Sequence, residues 1–122
     1  MNNTQTMEMV ESPAYLGSDK TMFMTEALIE QLNNRWKVDS IESGHSSYYI
    51  LTQEVGRKYI KVMQHTSTSS GRSVYMFIDK KSGAVYKSAS WKTPAKGIRF
   101  WIDQLANQPD ICDPYGGFLY VR

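Results

Sequence analysis

Cysteine occurs once in this chain, at Cys112. A lone cysteine excludes an internal disulfide, and with it the stapled scaffolds of small secreted domains. Histidine occurs twice, at His45 and His65. The two lie far apart in sequence and make no close ligand pair, so neither a Cys-rich zinc site nor any other metal site is expected. No apolar run approaches the ~18–20 residues that span a bilayer, so no membrane partner is expected. The first residues, Met1-Asn2-Asn3-Thr4-Gln5-Thr6, lack the basic-then-apolar layout of a secretory signal. A location in the cytosol is the default.

Catalytic patterns are equally scarce. The acidic residues are scattered, without the paired spacing of two-carboxylate chemistry. No sequence neighbour fixes His45, in Ser43-Gly44-His45-Ser46, or His65 as the base for a nucleophile. The Gly-rich cradle of a P-loop is absent. The reading is therefore a protein that is not an enzyme and carries no cofactor and no catalytic residues.

What is present is enough for a core. The 122 residues are 41% hydrophobic and 12% aromatic, which favours one folded domain. Residues 1–17 show no period and read as a flexible arm before a domain at 18–122. A helix is expected to start after Ser18 or Asp19, both good N-caps. Met24, Leu28 and Leu32 recur at four-residue spacing beside Ile29 and Trp36. Asn33-Asn34 is expected to weaken this helix, which ends near Trp36. From there the pattern is short, β-branched and aromatic. Five strands are expected, at 38–43, 47–54, 58–65, 73–79 and 84–91. Short Gly-containing connectors at 55–57 and 80–83 imply hairpins and an antiparallel meander. Thr93 as N-cap and Pro94 at the first helical position predict a second helix with Ile98, Trp101, Ile102 and Leu105 on its apolar face. Residues 118–122 read as a last edge strand or a docked arm. The fold class is α+β: a four- to five-stranded antiparallel sheet with one helix before and one after it, both on one face.

Net charge is +2, from 14 basic and 12 acidic residues, but its distribution is uneven. Residues 57–99 hold ten Lys and Arg against Asp79 alone. The acidic side is concentrated before residue 57. Such asymmetry points to an anionic partner or to the acidic surface of another copy. The basic block is interleaved with Tyr59, Tyr75, Phe77, Tyr86 and Trp91. Strand alternation puts Ile60 and Val62 on one face and Tyr59, Lys61, Met63 and His65 on the other; likewise Val74, Met76 and Ile78 oppose Tyr75 and Phe77. With the aliphatic face under the helices, the other carries rings and cations. Single-stranded nucleic acid uses such a surface, stacking bases on rings while cations track phosphates. Ordinary cross-strand pairing of aromatics accounts for the same pattern. Lys92, Lys96 and Arg99 surround the expected helix start, where free N–H groups favour an anion.

Residues 83–102, GAVYKSASWKTPAKGIRFWI, resemble a motif of small proteins from tailed bacteriophages and uncultured viruses. The match lies at Tyr86, Lys87, Ala89, Ser90, Trp91, Lys92, Pro94, Ala95 and Lys96. The resemblance implies a viral origin, hence the cytoplasm of an infected host cell or the virion, and no particular activity. Residues and resemblance together suggest a viral accessory protein that binds nucleic acid, most simply single-stranded and without sequence preference. Tyr59, Lys61, Tyr75, Phe77, Lys87, Trp91, Lys92, Lys96 and Arg99 would carry the binding. The alternatives are a protein-interaction or virion structural module assembling as a homo-oligomer, an inhibitor of a host protein, and a binder of a small anionic nucleotide near Lys92–Arg99.

Overall fold

A computed structural model describes residues 17–120. Of the expected N-terminal arm, only Gly17 falls within them. A long helix, α1 (Ser18–Glu42), precedes five strands: β1 (Tyr49–Val55), β2 (Tyr59–Thr66), β3 (Ser73–Asp79), β4 (Ala84–Tyr86) and β5 (Phe100–Trp101). A short helix, α2 (Ile102–Asn107), and two single 3-10 turns follow. The strands form one antiparallel sheet in chain order. The fold class is thus α+β, with a helix on either side of the sheet in sequence.

Apolar spacing accounts for where α1 sits. Leu28, Ile29, Leu32 and Trp36 form one buried stripe and join Ile60, Val62, Met76, Ile78 and Val85 of the sheet in a single core. Ile102 and Leu105 of α2 belong to the same core, so both helices cover one face. Gly17 donates its N–H to the Lys81 carbonyl at 2.9 Å, tying the start of α1 to the β3–β4 turn.

The expectation that α1 ends near Trp36 is corrected: the helix runs six residues further, and residues 38–43 are helix for all but the last residue rather than strand. Asn33 shows why. Its side chain donates to the Leu51 carbonyl at 2.9 Å and accepts the Leu51 N–H at 2.8 Å. It occupies the outward-facing backbone of an edge strand, groups that otherwise seek water or another chain. A residue unfavourable in a helix by local propensity becomes the bolt that fastens the helix to the sheet.

The second helix, by contrast, is shorter than expected. Residues 87–99 fold into a loop instead. Ser88 bridges to Pro94, Ala95 donates to the Lys87 carbonyl at 2.7 Å, and the Thr93 carbonyl accepts from Ala89 and Ser90. Thr93 therefore caps no helix. Pro94 favours extended backbone in the residue before it, and Gly97 sits at φ +95°, outside helical space. Arg99 then donates its N–H to Val85, starting β5 where the helix was expected. The strand expected at 84–91 shrinks to the three residues of β4 for the same reason. Residues Gly117–Leu119 form a 3-10 turn rather than an edge strand; Val121 and Arg122 lie outside the described residues.

Replacing Asn33 with Ala should destabilise the protein by about 1–3 kcal/mol, because two edge-strand groups lose their partners. Asn34→Ala, one residue along and exposed, should change stability by less than about 0.5 kcal/mol. Urea unfolding of both variants measures the difference.

Candidate nucleic-acid interface

The second sheet face is built around a bulge. Lys61 faces Phe77 and Val62 faces Met76, but Met63 faces Val74, leaving Tyr75 as an extra residue on β3. The bulge breaks the alternation that would put Tyr75 beside Phe77. Tyr75 turns into the helix-covered core, 6% exposed, edge-on to Trp36 at 5.9 Å between centroids. Its hydroxyl donates to the Asp113 carbonyl at 2.6 Å and pins the C-terminal segment. Burial, then the neighbouring Cys112 and Asp113, push its pKa far above the usual phenol range. Tyr75 is corrected from a stacking platform to a core anchor.

Phe77 remains on the second face but only 2% exposed. Tyr59 meets it edge-on at 5.8 Å and meets Tyr86 at 6.1 Å. Burial, with Tyr59 and Asp79 nearby, raises the Tyr86 pKa. No helix among the described residues covers this side. The loop after β4 does so instead. Lys61 Nζ lies 5.9 Å from the Phe77 ring centroid and 4.8 Å from that of Trp91. The Arg72 guanidinium stands 6.0 Å from Trp91 and pairs with Glu54 at 2.9 Å. Phe77 is thus roofed and offers no face to a base, whereas Trp91 is 46% exposed and does.

Beside this cluster the β1–β2 hairpin opens a cleft of about 330 Å³, lined in part by Glu54, Arg57, Lys58, Tyr59, Lys61 and Lys92. Gly56 donates to the Tyr59 carbonyl at 2.8 Å and closes the turn, which holds Arg57 and Lys58 out at its tip. Lys58 Nζ lies 5.4 Å from the Tyr59 ring. Four cations therefore line one cleft with the half-buried ring of Tyr59, beside one carboxylate that pairs with Arg72. Arg57, Lys58 and Arg72 were not singled out from sequence. Their signal was their position flanking the strands that carry Tyr59 and Tyr75.

The remaining expected residues fall elsewhere. Lys87 stacks over Tyr120 at 4.7 Å and lines a separate hollow of about 170 Å³. Arg99 is engaged structurally: Nε donates to Leu119 at 2.7 Å, and a terminal nitrogen donates to the Lys96 and Gly97 carbonyls. Lys96 is exposed on the loop. Since no helix begins at Pro94, the anion site expected at its N-terminus does not form. Of the nine residues, the structure brings together Tyr59, Lys61, Phe77, Trp91 and Lys92.

Residues 5–121 match a family of unknown function, DUF7717, and the chain belongs to it. No curated protein matches the chain, and no solved structure does. Among the described residues, no group of three or more His, Cys, Asp or Glu side chains could hold a metal ion, and no helix is long and apolar enough to cross a membrane.

Cys112 packs in the core, and burial, followed by the Asp113 carboxylate, pushes its thiol up to about 12 from an ordinary 9.0. The folded state keeps the proton that the unfolded chain loses. Its contribution to stability is complete below pH 9 and is lost as pH rises toward 12. At pH 8, a disulfide reagent should label Cys112 about a hundredfold or more slowly in the native protein than in the urea-unfolded chain.

Proposed function

We propose that this protein is a small, non-enzymatic viral accessory protein that binds single-stranded nucleic acid without strong sequence preference. The observation that carries the reading is the cleft that Arg57, Lys58, Lys61 and Lys92 line together with Tyr59, next to the exposed ring of Trp91. The cations neutralise phosphates, and the backbone of a flexible strand bends to follow them. Tyr59 and Trp91 stack bases, which is sequence-tolerant because every base has a π-face. The viral assignment rests on the motif around Trp91.

A protein-interaction module is the second reading. One observation favours it: Phe23, Val38 and Ile41 are exposed and align along the outer side of α1 at helical spacing. On that reading the protein assembles as a homo-oligomer or caps a host protein, and its sedimentation changes between low and high salt without any affinity for nucleic acid.

Fluorescence anisotropy with a labelled oligothymidine strand, titrated at several salt concentrations, tests the first reading. Binding should weaken linearly in log–log form with salt, and Lys58→Ala and Lys92→Ala should each lower the slope by about 0.7. Trp91→Ala should remove about 1–3 kcal/mol of affinity. Absence of binding at low salt by a protein that melts normally overturns it.

A further inference from the structure

A second cleft, of about 520 Å³, lies at the other end of β1 against the last turns of α1. It shares no lining residue with the basic cleft, and the seven residues of β1 separate the two by roughly 20 Å. Its volume is in the range of ligand sites. Trp36, Tyr48, Tyr49 and Tyr115 supply aromatic walls. Tyr49 meets Tyr115 edge-on at 5.8 Å, and Tyr115 is 80% exposed. The wall already takes a cation, since Lys37 Nζ lies 5.8 Å from the Tyr48 ring.

The cleft's polar groups carry the opposite charge to the basic cleft. Asp110 is paired with Arg35. Asp113 accepts the N–H groups of Tyr115 and Gly117. Asp39 has no ion pair among the described residues. The end of α1 adds to this field: helix C-terminal carbonyls carry a partial negative charge, and the last turn of α1 contains no basic residue to offset them. Asp39 and Glu42 stand where a helix disfavours carboxylates, an arrangement that an incoming cation relieves.

The geometry points to this cleft as a site for an arginine side chain of a protein partner. A guanidinium is planar and weakly hydrated, and it stacks on an aromatic face while bonding a carboxylate edge-on. Tyr49 and Tyr115 offer the faces and Asp39 the carboxylate. An ammonium satisfies the charge without the stacking.

The probe is a labelled Gly/Ser peptide carrying two arginines, with lysine and alanine versions beside it, followed by anisotropy with the full chain. The arginine peptide should bind at low salt, the lysine peptide more weakly and the alanine peptide not at all. Tyr115→Ala should weaken arginine-peptide binding about two- to fivefold, and Asp39→Asn should weaken it too. Neither variant should lower the melting temperature or alter oligonucleotide binding, while Lys92→Ala should affect only the oligonucleotide, so failure at one cleft is separable from failure at the other. The assignment is overturned if the arginine peptide does not bind, if the lysine or alanine peptide binds equally, or if both variants leave its affinity unchanged. It is also overturned if sedimentation shows an oligomer that Asp39→Asn and Tyr115→Ala dissociate, since the occupant is then a second copy.

Discussion

Strand β3 is buried on both faces, and the rest of the structure follows from how each face is covered. It lies between β2 and β4, with Met76 and Ile78 toward the helices and Phe77 away from them. Among the described residues, helices lie on one side only. On the other side Lys61 lies over Phe77, and the ring of Trp91, from the loop after β4, meets Lys61 and Arg72 in turn. Such side chains cover apolar surface with their stems and leave the charge in water. The basic character of this face is therefore bound up with the core itself: Lys61, which lies over Phe77, is also a wall of the basic cleft.

The bulge at Tyr75 divides the work of two rings two residues apart. Phe77 supports the second face from beneath. Tyr75, turned the other way, reaches the Asp113 carbonyl, while Gln64 donates to the Pro114 carbonyl at 2.7 Å. These two bonds hold the C-terminal segment against the sheet and place Tyr115 over Tyr49. A single extra residue in one strand thus conditions both clefts, the basic one by freeing the second face for Tyr59 and Phe77, the acidic one by locating its outer wall. The net charge of +2 conceals this polarity because the 14 basic and 12 acidic residues of the chain nearly cancel.

Much of the fold was legible in residues whose neighbours are local. The strands at 47–54, 58–65 and 73–79 were recovered within about two residues, because period-two alternation and Gly-bearing turns are properties of short stretches. The helical stripe of Leu28, Leu32 and Trp36 was legible for the same reason. The errors fall where a distant partner decides. Asn33 argues against helix until Leu51 arrives eighteen positions later to bind it. Thr93-Pro94 is a good helix start until Lys87 and Thr93 take the N–H groups of the surrounding loop. The site divides in the same way: Tyr59, Lys61, Trp91 and Lys92 follow from alternation and charge, whereas Tyr75 and Arg99 are claimed by the C-terminal segment.

The amino-acid sequence by itself determined the α+β class, the helix-covered aliphatic face and the concentration of positive charge in residues 57–99, since each depends on periodicity or composition along the chain. Only the tertiary structure decided which rings are open to a ligand, which cations are already engaged, and that a second, acidic cleft lies at the far end of β1. The physical reason is that burial and hydrogen-bond satisfaction belong to pairs of residues far apart in sequence. The bulge at Tyr75, the Asn33 bolt and the Trp91 roof exist only once the two partners meet.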